Sequence, residues 1–143
     1  MRLNPFELCL ALMAFSGPAL AAQVQVRNAW MRSLPGGLPA AGYFEMTNMG
    51  KNQVALTGAQ SPLCGMLMLH KSSERGGMGR MEDVARVEIP AGGKIAFAPG
   101  GYHLMCMNPS SALRPGAKAS VVLRFSDGTG VTVTFSVRNA MGK

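Results

Sequence analysis

Short apolar segments separated by glycine or proline fill the chain from about residue 24 to residue 137. Segments of this length with such punctuation are typical of strands in a Greek-key sandwich or barrel. No long amphipathic helical pattern and no internal repeat accompanies them, so the sequence predicts an all-β domain. We expect loops at 32–39 and 71–79, the second one flexible because of its glycines. The predicted strands are 24–27, 41–48, 53–59, 63–70, 84–89, 94–98, 102–107, 119–125 and 131–137.

The first 21 residues have the features of a secretory signal. Arg2 supplies the positive charge, residues 8–15 form an apolar run, and 19–21 (Ala-Leu-Ala) match a small-residue cleavage site. The apolar run is too short to span a bilayer. Cys9 lacks a small residue before it, so we do not predict lipid attachment there. We expect residues 1–21 to be removed and residues 22–143 to form one exported, soluble domain.

The charge balance excludes one class of partner. The 14 Lys and Arg residues against 7 Asp and Glu give a formal charge of +7, and loss of Arg2 and Glu7 leaves it unchanged. The basic residues are scattered, without a run and without interleaved aromatic residues, which argues against nucleic acid binding. The excess charge favours solubility and, more weakly, attraction to an acidic partner or an anionic membrane.

Four residues form the candidate metal site: His70, Met81, His103 and Met105. The two histidines are the only ones in a chain that has 12 methionines. Thioether sulfur selects soft Cu(I), and imidazole also binds it, whereas calcium and magnesium prefer oxygen ligands. His103 and Met105 are two residues apart on one predicted strand and should share a face. His70 ends a predicted strand, and we expect the loop after it to bring Met81, with Met78 as a possible substitute, over that face.

The two remaining cysteines leave three possibilities open. In an exported protein Cys64 and Cys106 can form a disulfide. Strand alternation argues mildly against one, because Cys106 should face away from His103, while Cys64 has the parity of His70. A bulge at Gly65 would reverse this parity. Two free thiols are the second possibility, and a thiolate that binds copper is the third.

The spacing of the four candidate ligands resembles a known family signature. His70 and Met81 are separated by ten residues, Met81 and His103 by twenty-one, and His103 and Met105 by one. This spacing is similar to the H-x10-M-x21-H-x-M motif of the periplasmic copper(I) chaperones of the PCuAC type. Flanking segments agree, among them Gly42-Tyr43-Phe44, residues 88–93 and residues 99–105.

This resemblance implies a cupredoxin-like fold, periplasmic location and Cu(I) held by His70, Met81, His103 and Met105. It also implies copper delivery to the apo CuA domain of cytochrome c oxidase, or exchange with a Sco-type thioredoxin-like protein. We expect a monomer with one copper site, because only Met141 among potential ligands lies in the C-terminal segment.

Other chemistries have little support in the sequence. No histidine follows Cys106, as a blue-copper site requires, and there is no Cys-x-x-Cys and no third histidine. We therefore expect no enzymatic activity; the alternatives to a chaperone are a copper-buffering protein and a purely structural module. Methionines in apolar strands are usually core fillers. We expect that of Met46, Met66 and Met68, with Met107 beside the site and Met31 and Met49 at the surface or in loops. Trp30 is expected to pack near a strand end or to shield a copper site.

Overall fold

The computed structural model describes residues 19–143, apart from the side chain of Arg75. The predicted signal therefore lies almost entirely outside the described residues, and its cleavage remains a prediction. Within the described part, 3₁₀ turns at Leu20–Gln23 and Pro35–Gly37 are the only helical elements. The strands are β1 (Val24–Arg32), β2 (Ala40–Asn48), β3 (Val54–Gln60), β4 (Cys64–Arg75), β5 (Met78–Asp83), β6 (Val87–Ile89), β7 (Lys94–Phe97), β8 (Tyr102–Pro109), β9 (Lys118–Phe125) and β10 (Gly130–Arg138).

Seven of these strands close into a barrel, in the order β4-β8-β2-β1-β10-β9-β3, and β3 returns to β4 through the pair Ala59↔Leu67. β5 extends the sheet beyond β4, β6 pairs with β3, and β7 pairs with β2. The pair β1–β10 is parallel and the others are antiparallel. The predicted all-β, cupredoxin-like fold is confirmed.

The side chains that fill the barrel interior alternate along the strands with side chains that point outward. In β9 every second residue is buried, and the hairpin to β10 crosses the turn predicted at 126–130. Phe44 stacks on Phe97 at 4.4 Å between ring centroids and meets Phe135 edge-on. Burial of large apolar side chains is the main stabilising contribution to such a core.

One methionine of this core was misassigned. Met31 is fully buried, although we expected it near the surface. The prediction was wrong because β1 continues to Arg32, past the expected end of the strand. Its side chain packs beneath Gly42, where an added Cβ would come within 3.5 Å of the methionine's terminal methyl.

The segment after His70 differs from the prediction. Residues 71–79 are not a flexible loop: β4 continues to Arg75, and β5 begins at Met78. Gly76 and Gly77 form the two-residue turn between them, with φ of 60° and 78°. Two successive residues with positive φ are what a tight hairpin turn requires, and glycine adopts them without steric cost. The glycines therefore make a hairpin rather than a loop.

Cys64 and Cys106 form a disulfide, with 5.4 Å between their Cα atoms. This settles the three open possibilities and excludes a cysteine thiolate as a metal ligand. Strict alternation would have separated the two sulfurs, but the strand pair is irregular here. Asn108, opposite Gly65, has a left-handed backbone with φ of 49°. The bond links β4 to β8, the two strands that carry the histidines.

Candidate metal centre

The outer face of the β4–β8 pair carries a ladder of sulfur and imidazole side chains. Directly opposite residues on antiparallel strands share a face, and their Cβ atoms lie about 4.5–5.5 Å apart. Leu67 and Leu69, which alternate with this ladder along β4, are buried in the barrel. The ladder therefore faces outward. Its pairs are Met66↔Met107, Met68↔Met105 and His70↔His103.

His103 is almost fully buried and has one defined tautomer. Its Nδ1 lies 3.1 Å from the carbonyl oxygen of Gly101. A carbonyl only accepts, so Nδ1 donates and Nε2 retains the lone pair of the neutral ring. That Nε2 is buried and has no hydrogen-bond partner. Burial lowers the pKa of His103 below its usual value of 6.5, opposed by the Gly101 hydrogen bond and reinforced by the neighbouring His70. The ring is therefore neutral at pH 7, and the lone pair of its Nε2 atom is not used in a hydrogen bond.

His70 lies beside His103, and the carboxylate of Asp83 lies close to the His70 ring. The two imidazole centroids are 5.7 Å apart, with their planes at 75°. Nε2 of His70 is 2.8 Å from Oδ1 of Asp83 on β5, an ion-pair distance without hydrogen-bond alignment. Nδ1 of His70 is buried and has no hydrogen-bond partner. A carboxylate beside one ring nitrogen of a histidine whose other nitrogen binds the metal is a common arrangement.

The two predicted sulfur ligands lie on either side of His70. Met105 is half-buried and stands diagonally across from His70 on β8. Met81 pairs with Ser72 and is therefore diagonal to His70 on β5. Diagonal neighbours are about 7–8 Å apart, within reach of long side chains. The register thus makes His70 the common neighbour of His103, Met105 and Met81.

Met81 is the most exposed of the four residues. It lies in β5 rather than in a loop, its side chain is 55% exposed, and β4 separates it from His103. It lines a surface hollow of about 380 Å³ together with Ser72 and Gly100, and Gly100 belongs to the turn that precedes β8. Solvent therefore reaches Met81 through this hollow.

Met78 does not fit the predicted role as a substitute for Met81. It starts β5 opposite Arg75, five residue pairs from His70 and Asp83. Five pairs correspond to about 17 Å along an antiparallel strand. Met81 is three positions after Met78, an odd offset on one strand, so their side chains point to opposite faces. The prediction assumed a flexible loop, which the hairpin replaces.

Two methionines of the ladder were missed by the sequence analysis. Met66 and Met68, predicted as core fillers, lie on the outer face, and Met66 is 57% exposed. Met46 is buried as expected, and Met107 stands in the ladder beside the site. Met68 is the cross-strand partner of Met105 and diagonal to His103, so a further thioether flanks the histidine pair.

Asp83 was also missed, although the sequence contained a signal for it. A two-residue Gly76-Gly77 turn fixes the hairpin register and pairs His70 with Asp83. No group of three His, Cys, Asp or Glu side chains suited to a metal occurs among residues 19–143.

The barrel is similar to solved copper-binding domains. The copper-bound PCuAC domain of PmoF2 matches with a TM-score of 0.67 and 23% identity, over 82% of this chain and 93% of that one. The solution structure of apo-DR1885 from Deinococcus radiodurans matches with a TM-score of 0.63 and 28% identity, over 97% and 94% of the two chains. The Cu(I) form of DR1885 is 29% identical, with a TM-score of 0.63 over 78% and 75%. The fold is therefore of the PCuAC type.

The sequence comparison identifies the family. The model of the family described as "Putative lipoprotein LpqE-like" matches residues 24–137. The chain is also 36% identical over 120 residues to "Putative lipoprotein Lxx21020" of Leifsonia xyli subsp. xyli, which covers 83% of this chain and 72% of that protein. The chain belongs to the LpqE-like family.

Proposed function

We propose that this protein is an exported Cu(I) metallochaperone without enzymatic activity. One observation carries the proposal: the buried imidazole of His103 and the largely buried imidazole of His70 lie side by side on paired strands, and each has a buried ring nitrogen with no hydrogen-bond partner. A buried polar atom without a partner is costly, and a bound ligand removes that cost. Thioethers flank this pair, as Cu(I) prefers.

The proposed ligands are His70, Met81, His103 and Met105. Their chemistry discriminates against hard cations, because two of the four donors are uncharged sulfur atoms. The copper-bound PmoF2 domain and Cu(I)-DR1885 support the choice of metal, since both names record copper on the same fold. The spacing that resembles the PCuAC motif supports the choice of residues.

Copper transfer by ligand exchange fits the different exposure of these residues. Met81 is exposed on an edge strand of the sheet, so an incoming ligand can displace it without opening the barrel. His103 is 4% exposed and held by Gly101, so it retains its position throughout. We infer that Met81 leaves first and His103 last.

The resemblance supports the apo CuA domain of cytochrome c oxidase or a Sco-type protein as the exchange partner. Export to the periplasm follows from the predicted signal at residues 1–21, and it agrees with relatives named as lipoproteins. No helix among residues 19–143 is long and apolar enough to cross a membrane. We propose that the exported protein acts as a monomer.

An anaerobic competition titration with a Cu(I)-specific chromogenic chelator tests the site. The exported protein should bind one equivalent, and His103→Ala should lose most of the affinity. Met141→Ala is the matched control, because Met141 is 80% exposed and lies on the C-terminal segment. Absence of binding by the parent protein would refute the proposal.

A second experiment separates delivery from storage. Copper-loaded protein is mixed with the apo CuA domain while the chelator is present. Direct transfer loads the CuA domain with copper, measured as protein-bound copper after the two proteins are separated, at a rate independent of chelator concentration. If transfer stops when the chelator captures free copper, the protein buffers copper and does not deliver it.

A further inference from the structure

The sheet face that carries the candidate metal centre continues across three more strands. Met105 pairs with Ala41 on β2, Ala41 with Arg32 on β1, and Arg32 with Arg138 on β10. Neighbouring strands are about 4.8 Å apart, which places the backbone of Arg32 about 10 Å and that of Arg138 about 14 Å from Met105. Both arginines are therefore on the same face as the proposed copper ligands and close to them.

These arginines pack around two aromatic rings. Trp30 and Tyr43 are 4.8 Å apart between ring centroids. The Arg32 guanidinium lies 5.4 Å from the Trp30 ring and 5.5 Å from the Tyr43 ring. That of Arg138 lies 4.7 Å from Trp30. We call Trp30, Arg32, Tyr43 and Arg138 the cationic platform.

The positive charge of the platform is not neutralised. Neither guanidinium has an ion-pair or hydrogen-bond partner among the side chains that the structure describes, and Nε of Arg32 is buried without one. Like charges on directly opposite strand residues are destabilising. Arginine held over aromatic rings still presents its fork of N–H donors, which matches a carboxylate. The arrangement is thus preorganised for an anionic group that the described residues do not supply.

An open groove adjoins the platform at the end of the barrel. It has a volume of about 590 Å³ and is lined in part by Ser33 and Asn139, the residues that follow Arg32 and Arg138. Met141, which is 80% exposed, also lines it. A polypeptide whose carboxylates contact the platform can therefore continue into a groove with apolar walls.

We propose that the cationic platform docks an acidic segment of the protein with which copper is exchanged. This inference rests on the proposed function, because it assigns the partner of the same site. A polypeptide carboxylate is favoured over an anionic membrane because the other basic residues are scattered rather than gathered into the polybasic cluster that lipid surfaces attract. Docking here would bring acceptor ligands to within two strands of Met105.

Binding of a hexaglutamate peptide, with hexaglutamine as the uncharged control, tests the platform. Trp30 is the only tryptophan, so its fluorescence reports binding, and calorimetry provides a second readout. The test variant is Arg32→Gln/Arg138→Gln. Arg27→Gln/Arg124→Gln is the matched control, because each pair of substitutions lowers the formal charge from +7 by two.

The platform variant should bind hexaglutamate about 10-fold more weakly than the parent, since each exposed charge pair contributes up to about a factor of 5. The control variant should stay within about twofold, because long-range attraction is screened over about 10 Å at 0.1 M salt. Equal losses in both variants, or no hexaglutamate binding at low salt, would overturn the proposal. So would platform-dependent binding to phosphatidylserine vesicles without binding to the peptide, because the ligand would then be a membrane surface.

Chelator titrations of the same proteins keep this inference separate from the proposed function. The platform variant should retain the Cu(I) affinity of the parent, because neither arginine is a proposed ligand. If the parent binds hexaglutamate but no copper, the chaperone assignment fails and the cationic platform remains a site for acidic polypeptides. If copper binds normally and the peptide does not, only the platform fails.

Discussion

Breaking the Cys64–Cys106 disulfide should destabilise the domain strongly while leaving the metal centre intact. The bond closes a loop with a sequence separation of 42. The chain-entropy relation for such a loop gives about 13 cal/mol/K, or about 4 kcal/mol at 25 °C. A domain of about 120 residues unfolds with an entropy near 250 cal/mol/K, so the melting temperature should fall by about 15 °C. Copper affinity below the new transition should persist, because neither sulfur is a proposed ligand.

Calorimetry of the parent, of the reduced parent and of Cys64→Ala/Cys106→Ala measures this effect. The reduced parent serves as the control for the cavity that alanine leaves at the fully buried Cys106. Copper titration is performed on the alanine variant, since free thiols would themselves bind the metal. A fall of less than about 4 °C on reduction would refute the entropy argument. Lost copper affinity in a folded alanine variant would show that the disulfide shapes the site.

Three further predictions concern the site itself. Asp83→Asn should weaken Cu(I) binding about 10- to 100-fold if the carboxylate orients His70; tighter binding in the chelator assay would instead show that Asp83 competes with copper. Met81→Ala should weaken binding more than Met68→Ala, and the reverse order in the same assay would make Met68 the fourth ligand. Because the folded pKa of His103 is below the unfolded value of 6.5, the unfolded state binds more protons between those two pKa values. The free energy of unfolding of the copper-free protein should therefore fall as pH drops through this window, and denaturant unfolding should show a smaller fall in His103→Gln.

The strands could be predicted because alternation and turn residues are local features of the sequence. Alternation in β9 and β10 and the turn between them follow from side-chain period and turn residues alone. Closure of the barrel through Ala59↔Leu67 could not be predicted, because a pair of this kind depends on the curvature of the whole sheet. The length of β1 was underestimated because the left-handed Asn28 interrupts its alternation.

The candidate ligands were named from the sequence, and their relative geometry was predicted only in part. Pairing of His70 with His103 brings together two predicted ligands, and no sequence pattern specifies that pairing. Gly76-Gly77 was interpreted as a source of flexibility rather than as a hairpin turn. The pairing of His70 with Asp83 was therefore not predicted. The outward position of Met68 was missed because Leu and Met have similar hydrophobicity, so alternation within that segment is not visible in the sequence.

The most direct test of the account is X-ray absorption spectroscopy of the copper-loaded exported protein, reduced under anaerobic conditions. The account predicts a Cu(I) edge and a coordination shell of two imidazole nitrogens and two thioether sulfurs. In His70→Ala/His103→Ala, the imidazole scattering should disappear together with the stoichiometric copper. A shell without imidazole in the parent, or an unchanged shell in the double variant, would contradict the assignment of copper to the histidine pair on β4 and β8.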